Sequence, residues 1–298
     1  MKQDQVSRSV ERKRVALDGV SRRYDARVNA IRPDLADVAL AELYFAPHYA
    51  AAVPRGVVAP SAPLRGAPDT ATTAISELLH GENFHMLDAR GGWAWGYCGH
   101  DHYVGYVEIA ALGDPVAPTY VTTGAAPLFS APDIKSPILT LYPAHARLAG
   151  TLDGNFLATD GGFVHVRHVR PVGQAETDWV AVAQRHLGAP YVWGGRGGLG
   201  LDCSGLVQIA LAACGIKAPR DTDQQADAVG LALDDHVELR RGDLIFFPGH
   251  VGLMTDGERL LHANAHWMAV TIEPLADVIA RLADKYERPV TARRRVST

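Results

Sequence analysis

Residues 191–215 of the chain read YVWGGRGGLGLDCSGLVQIALAACG, and the architecture of its C-terminal part follows from them. An aromatic pair and a glycine-rich loop lead to Asp202 and Cys203, and the residues from Leu206 onward are apolar on nearly every side. This pattern predicts a buried helix that begins at Cys203, has Asp202 as its N-cap and ends at Gly215. We therefore expect a cysteine at the N-terminus of a buried helix.

The sequence around this helix predicts an α+β domain over residues 174–298. An amphipathic pattern over Thr177–His186 predicts one more helix. Further along, apolar runs at Leu244–Phe247, His250–Met254 and Leu260–Ala263 are separated by turn residues and predict an antiparallel sheet. A buried helix packed against such a sheet is typical of α+β proteins.

The N-terminal half predicts a different architecture, with short β-type runs over residues 69–113 and again over 119–172. The two regions form a weak internal repeat of about sixty residues, so we expect two small β-barrels. Residues 1–68 contain an N-terminal leader and a proline-rich segment. Apart from a short helical pattern at Asp34–Leu43, we expect the proline-rich segment to be extended and to lie outside the barrel cores.

Composition excludes several classes of protein. The 298 residues are 47% hydrophobic, which argues against global disorder, and the formal net charge of -4 argues against a basic nucleic-acid-binding protein. No stretch reaches the ~18 apolar residues of a membrane span, and no signal peptide is recognisable at the N-terminus. Three cysteines do not form a disulfide framework, so we expect a cytoplasmic protein. We also expect its leader, residues 1–32, to be solvated.

Cys203 is the candidate nucleophile. A thiolate is the reactive form, and the N–H groups of a helix N-terminus lower the pKa of a thiol. The alternative is that Cys203 is an ordinary small buried residue. The flexible glycine loop before it and the small Ser204 and Gly205 after it favour the first interpretation, because they allow a substrate to approach closely.

A thiol nucleophile needs a base, and strand geometry selects His250 and His262 among 13 histidines. The two residues lie on adjacent strands of a predicted hairpin. They share a face of the sheet only if the loop around Asp256 to Glu258 has an odd number of residues. A three-residue loop with Gly257 near the left-handed conformation places His250 diagonal to His262. A two-residue turn would place them on opposite faces.

Two other interpretations of the sequence are weaker. Paired histidines such as His100 and His102 suggest zinc, but a metal site needs three or four converging ligands, so we expect no metal. Gly195, Gly197 and Gly200 fit a dinucleotide-binding pattern, but no buried parallel strand precedes them. We therefore expect neither a nucleotide nor any other cofactor.

The motifs of residues 191–206, 219–225, 241–252 and 262–263 closely resemble the NlpC family of papain-like cysteine peptidases. The Gly81-Glu82, Gly91-Gly92-Trp93 and Gly105-Tyr106-Val107 motifs resemble the bacterial SH3-like domains that accompany cell-wall enzymes. The resemblance implies a papain-like fold after two SH3-like barrels. It also implies that Cys203 is the nucleophile, His250 the base and His262 the third triad member. Tyr191 would help the Cys203 N–H bind the oxyanion.

The combined architecture resembles γ-D-glutamyl-L-diamino acid endopeptidases, which cleave murein peptides. The resemblance implies that Asp202 binds the free amine of the substrate's L-Ala. Trp193 and Ser204 would line the cleft, and Glu77 and Tyr103 would be the contribution of the first barrel.

Three hypotheses remain open at this stage. The first is cytoplasmic cleavage of the γ-D-Glu–diamino acid bond in murein tri- and tetrapeptides, with no nucleic-acid or membrane partner. The second is a hydrolase or amidase that is exported and acts on intact peptidoglycan. The third is a wall-binding module that has lost catalysis. The sequence does not predict the oligomeric state.

Overall fold

The structure is a computed structural model and describes residues 23–297. Three β-rich units follow one another along the chain, and most of the helical structure lies in the last of them. The prediction of an α+β C-terminal unit after a β-rich N-terminal half is confirmed. Among the described residues, no helix is both long enough and apolar enough to cross a membrane.

The first unit is a seven-stranded antiparallel sheet with its own core. A short parallel pair, β1 (Leu35–Asp37) and β2 (His48–Ala50), precedes it. The sheet consists of β3 (Val53–Val57), β4 (Ser61–Arg65), β5 (Ala74–Leu79), β6 (Asn83–Arg90), β7 (Trp93–Cys98), β8 (Val104–Glu108) and β9 (Leu112–Gly113), in the spatial order β5-β4-β8-β7-β6-β3-β9.

The sheet begins earlier in the chain than residue 69, where the sequence placed its boundary. Strands β3 and β4 lie within the proline-rich segment, and Leu64 of β4 is fully buried in the core of the sheet. Pro54 and Pro63 are tolerated because each pairs with a neighbouring strand on one side only, opposite His85 and Glu77 respectively. The expectation that this segment lies outside the core is therefore wrong for β3 and β4.

The helix expected over Asp34–Leu43 is replaced by β1 and a single 3₁₀ turn at Val38–Leu40. The Asp37 side chain caps this turn, and Glu42 adopts a positive φ of 71°, which stops any continuation of a helix. The described end of the leader is not free in solvent, because the guanidinium of Arg27 lies 2.8 Å from the carboxylates of both Asp221 and Asp223. Residues 1–22 lie outside the described part of the chain.

The second unit contains two small antiparallel sheets around one core. Its strands are β10 (Tyr120–Thr122), β11 (Ala126–Phe129), β12 (Ile138–Tyr142), β13 (Arg147–Leu148), β14 (Thr151–Asp153), β15 (Phe156–Thr159), β16 (Gly162–His165) and β17 (Val169–Pro171). The sheets have the orders β13-β10-β17 and β12-β11-β16-β15-β14. The classification of this unit as a second SH3-like barrel stays a prediction.

The third unit packs a buried helix against a six-stranded antiparallel sheet. Its elements are α1 (Trp179–Gln184), α2 (Cys203–Ala213), α3 (Thr222–Ala228), β18 (Leu231–Ala232), β19 (Leu244–Phe247), β20 (His250–Met254), β21 (Arg259–Asn264), β22 (Ala269–Pro274), α4 (Leu275–Ala283) and β23 (Ala292–Arg295). The sheet order is β18-β23-β19-β20-β21-β22. Ten of the eleven residues of α2 are buried, because strands β20 and β21 cover it with Val251, Leu253 and Ala263.

Two buried arginines of the third unit join it to the first sheet. The Arg196 guanidinium contacts both carboxylate oxygens of Glu82 at 2.8 and 3.1 Å and donates to the Glu77 carbonyl at 2.8 Å. The Arg220 Nε–H donates to the Ser76 hydroxyl at 3.0 Å. Both guanidiniums are almost completely shielded from water, so one buried ion pair, Arg196–Glu82, and one buried hydrogen bond, Arg220–Ser76, connect the two units.

Replacement of Arg196 by Met should destabilise the protein strongly. The Glu82 carboxylate would remain buried without its cation, a change that costs about 3–5 kcal/mol in comparable pairs. The matched control is Arg288→Met, because Arg288 and Asp235 form an ion pair of which both side chains are more than two-thirds exposed. We expect the control to change stability by less than about 1 kcal/mol. Urea unfolding of both variants measures the difference, and equal midpoints would contradict the structural role of Arg196.

Candidate functional site

Cys203 is the first residue of α2, as predicted, and its thiol faces the sheet. The Asp202 carboxylate caps the helix by accepting a hydrogen bond from the Gly205 N–H at 2.7 Å. The backbone N–H groups of Ser204 and Val251 lie close enough to the Cys203 sulfur to lower the pKa of the thiol. Because Val251 directly follows His250 on β20, the thiol lies beside the strand that carries the predicted base.

The hairpin between β20 and β21 has the register that the sequence predicted. Leu253 lies opposite Leu261 and Met254 opposite Leu260, which places His250 diagonal to His262 on the same face. The Thr255 N–H donates to the Arg259 carbonyl and closes a three-residue loop. Gly257 does not have the positive φ that we expected. Instead, the Asp256 carboxylate accepts two backbone N–H groups, from Glu258 and Arg259, and thereby fixes the loop.

The two histidines form a continuous hydrogen-bonded series with a carboxylate. His250 Nε2 lies 2.8 Å from His262 Nδ1, and His262 Nε2 lies 2.8 Å from Oε1 of Glu273. His262 is buried, whereas His250 is partly accessible at the end of its strand. The structure therefore places Cys203 beside the strand that carries His250 and joins His250 to His262 by a hydrogen bond. It adds Glu273, which the sequence did not identify.

The pKa of the Cys203 thiol differs from the expectation that the helix N-terminus lowers it. Burial, reinforced by the Asp202 carboxylate, raises the pKa of Cys203 to about 12, and the two N–H groups at the sulfur offset this only in part. Burial, together with the neighbouring His262, lowers the pKa of His250 to about 3. At neutral pH the resting pair is therefore a protonated thiol beside a neutral imidazole.

Asp202 does not have the role that the sequence assigned to it. Its side chain is buried and accepts hydrogen bonds from the Gly205 N–H, from the Gly194 N–H at 2.9 Å and from the Arg220 guanidinium at 3.0 and 2.6 Å. A carboxylate that already has these donors is not free to bind a substrate amine. Ser204 is not a cleft residue either, because it is buried and its hydroxyl accepts a hydrogen bond from Arg220 at 2.8 Å.

The two aromatic residues of the predicted cleft are accessible to different degrees. Trp193 is 64% exposed beside the glycine loop, which leaves its ring free to contact a ligand. Tyr191 is only partly accessible, and burial together with the nearby Cys203 and Asp202 raises its pKa to about 12. Its hydroxyl therefore keeps its proton at neutral pH and remains a hydrogen-bond donor.

The two residues proposed for the first barrel reach the third unit. Glu77 is buried, and its Oε2 accepts hydrogen bonds from the Arg196 N–H at 2.8 Å and from the Gly198 N–H at 3.0 Å. The Tyr103 hydroxyl donates to Asp221 at 2.8 Å. Glu77 therefore holds the glycine loop. Tyr103 is hydrogen-bonded to Asp221, a carboxylate that the sequence did not assign to the cleft.

The glycine loop is held rather than flexible. A β-carbon at Gly198 would lie 2.0 Å from the Glu77 carboxylate and 2.3 Å from the Ser61 hydroxyl, both in the first unit. Gly194 has a φ of +78° and packs against the backbone of Ala74. The glycines are thus required for close approach between the units.

Three possible metal ligands lie together elsewhere in the described residues. Cys98, His100 and Asp101 bring one ligand atom each to within 4.8 Å of one another. The Asp101 carboxylate already accepts a hydrogen bond from Gln208 at 2.8 Å. The cluster therefore offers three ligand atoms, one fewer than a structural zinc site uses, and one of its residues already has a partner within the protein.

Two family models match the chain. Residues 188–284 match the NlpC/P60 family, and residues 64–112 match the bacterial dipeptidyl-peptidase SH3 domain. The second match includes part of β4, in agreement with the early start of the first sheet.

Curated relatives carry names that describe peptidases. The chain is 33% identical over 175 residues to a γ-D-glutamyl-L-lysine dipeptidyl-peptidase of Bacillus subtilis, covering 55% of this chain and 56% of that one. It is 34% identical over 98 residues to dipeptidyl-peptidase 6 of Lysinibacillus sphaericus, covering 32% and 35% of the two chains. The matches thus span between about a third and just over half the length of these relatives.

Solved structures share the fold. A crystal structure of an NlpC/P60 family protein from Bacillus cereus superposes with a TM-score of 0.69, at 20% identity, over 82% of this chain and 99% of that one. An NlpC/P60 endopeptidase from Photobacterium damselae has a TM-score of 0.52 at 17% identity, over 80% and 70% of the two chains. Residues 188–284 are thus similar to the NlpC/P60 family, residues 64–112 are similar to a bacterial SH3 domain, and the chain shares its fold with an NlpC/P60 protein.

Proposed function

We propose that the protein is a cysteine endopeptidase that hydrolyses the γ-D-Glu–diamino acid bond of murein peptides with a free N-terminal L-Ala. The observation that supports it most directly is the buried thiol of Cys203 at a helix N-terminus, beside the hydrogen-bonded pair His250 and His262. The name of the Bacillus subtilis relative supports the substrate class, and the name of the Lysinibacillus relative supports peptidase activity. We further propose a role in recycling released peptides in a reducing cytoplasm, which the three free cysteines support.

The resting protonation states suggest how the reaction begins. Since the thiol is protonated and His250 is neutral, His250 acts as a general base and takes the thiol proton as the sulfur attacks the γ-carbonyl carbon. The Cys203 N–H at the helix N-terminus and the Tyr191 hydroxyl donate to the developing oxyanion. The imidazolium of His250 then protonates the leaving amine. A water molecule hydrolyses the acyl-enzyme and releases the free thiol.

Asp221 is the carboxylate that we propose for binding the substrate's amine in place of Asp202. Asp221 directly follows Arg220, whose guanidinium contacts Asp202 and Ser204 on either side of Cys203. The Asp221 side chain is 26% exposed. The Tyr103 hydroxyl fixes its orientation. The Arg27 guanidinium also contacts Asp221, but it is 40% exposed, and such an ion pair is weak. An ammonium group can therefore bind there, whereas an acylated amine leaves the carboxylate without its ligand.

Purified protein should cleave L-Ala-γ-D-Glu-diaminopimelate between D-Glu and the diamino acid. The Cys203→Ala variant should be inactive, because the alanine side chain offers no nucleophile. Mass spectrometry of the products from a panel of murein tri- and tetrapeptides measures both results. Cleavage by Cys203→Ala, or clearing of intact sacculi without cleavage of the short peptides, would contradict the proposal, and the second outcome would favour a wall hydrolase.

The same assay tests recognition of the amine. N-acetylation of the substrate should lower kcat/KM by about tenfold or more, because the Asp221 carboxylate loses a charge-assisted hydrogen bond. In the Asp221→Asn variant the penalty for acetylation should shrink. An unchanged penalty in that variant would assign recognition of the amine to another residue.

Alkylation of Cys203 should depend steeply on pH. With a thiol pKa of about 12, the thiolate fraction, and with it the rate of reaction with iodoacetamide, should rise about tenfold per pH unit between pH 7 and pH 9. Peptide mass spectrometry separates Cys203 from Cys98 and Cys214, and Cys203→Ser is the control. A rate that is constant from pH 5 to pH 8 would instead indicate a thiolate–imidazolium pair.

His250 should make the protein less stable in acid. Its pKa is about 3 in the folded state and about 6.5 in the unfolded chain, so from pH 7 to pH 5 only the unfolded state gains a proton. The free energy of unfolding therefore decreases when the pH is lowered from 7 to 5, and His250 accounts for at most about 2 kcal/mol of this decrease. Urea unfolding at both values should show a smaller loss for His250→Gln than for the wild type. The exposed His236→Gln variant is the control, and equal losses in the wild type and His250→Gln would refute the assignment.

A further inference from the structure

Glu273 lies where it can determine the protonation pattern of both histidines. On strand β22 it is diagonal to His262, since His262 pairs with Thr271 two residues earlier. Glu273 and His262 therefore share one face of the sheet, and Oε1 of Glu273 lies 2.8 Å from His262 Nε2. This carboxylate has no part in the reaction steps described above.

The carboxylate is held firmly in place. Arg281 on helix α4 donates to the same Oε1 at 2.7 Å, and the Trp267 indole N–H reaches Oε2 at 3.4 Å. The Glu273 side chain is only 11% exposed. Despite this burial, the hydrogen bonds from Arg281 and His262 keep the pKa of Glu273 below its usual range, so the group is an ionised acceptor at neutral pH.

An ionised carboxylate only accepts hydrogen bonds, and this determines the position of each proton in the series. His262 must carry its proton on Nε2 to donate to Glu273, which leaves its Nδ1 as an acceptor. His250 must then carry its proton on Nε2 to donate to His262. The unprotonated Nδ1 of His250 is thereby left as the basic nitrogen of the ring, available to take a proton from the thiol.

We propose that Glu273, held by Arg281, is a positioning residue that fixes the tautomers of His262 and His250 and so keeps the base of the site ready to accept the thiol proton. The inference rests on the proposed peptidase function for its kinetic consequence, but the tautomers themselves are independent of the substrate. Glu273 acts through His262 and does not contact the reacting atoms.

Two variants separate this role from a general contribution to folding. Glu273→Ala removes the acceptor, so kcat should fall by about tenfold or more while KM changes little. Glu273→Gln keeps an oxygen acceptor for His262 and should recover most of the lost kcat. The matched control is Glu258→Ala, which removes an exposed carboxylate in the loop between β20 and β21 and should behave as the wild type. Equal losses in the Ala and Gln variants, or no loss in either, would overturn the proposal.

Nitrogen-15 NMR of the histidine side chains provides a measurement that needs no activity. In the wild type and in Glu273→Gln, both rings should show the Nε2–H tautomer, whereas Glu273→Ala should show mixed tautomers for His262. If the wild type cleaves none of the murein peptides but shows these tautomers, the proposed substrate fails and the role of Glu273 stands. If Glu273→Ala is folded and keeps the wild-type tautomers, the role of Glu273 fails.

Discussion

The ion pair between Arg220 and Asp202 determines the arrangement of Cys203, the proposed nucleophile. Asp202 caps the helix that begins at Cys203, and a buried carboxylate in that position needs a cation to compensate for its loss of solvation. Arg220 supplies two hydrogen bonds to Asp202, at 2.6 and 3.0 Å, and a third to the Ser204 hydroxyl. Its Nε–H donates to the Ser76 hydroxyl of the first sheet. One guanidinium thus fixes both neighbours of the nucleophile and attaches them to another unit.

This arrangement makes the first β-unit part of the site. Its Glu77 holds the glycine loop before the nucleophile, and its Glu82 neutralises Arg196 from that loop. A larger residue does not fit at Gly198, because its β-carbon would lie 2.0 Å from the Glu77 carboxylate. The glycine content, which suggested flexibility in the isolated sequence, instead reflects close packing between two units. The accessible Trp193 therefore precedes a loop that is packed against the first unit.

The sequence predicted those parts of the site that depend on local periodicity. The apolar run after Cys203 predicted α2, and the two-residue period of strands predicted that His250 and His262 share a face. The same parity argument extended to the next hairpin would have placed Glu273 beside His262. The partners of Asp202 could not be predicted, because Arg220 is 18 residues away and its orientation depends on Ser76. The depth of burial that raises the pKa of Cys203 is likewise a property of the packed units and not of the residues next to it.

The charges around the thiol oppose one another in a way that follows from its position in the fold. The N-cap that begins the helix places a carboxylate next to Cys203 and raises its pKa, whereas Arg220 and two backbone N–H groups lower it. Because Arg220 is committed to Asp202, burial remains the largest influence and keeps the proton on sulfur. Burial keeps the pKa values of His262 and His250 below that of free histidine, although the Glu273 carboxylate that orients His262 raises both. Arg281 pairs with Glu273 and offsets part of its charge. The resting site therefore contains an uncharged thiol and an uncharged imidazole between two ion pairs, Asp202–Arg220 and Glu273–Arg281. In the proposed reaction, charge separates only when the sulfur attacks a substrate carbonyl.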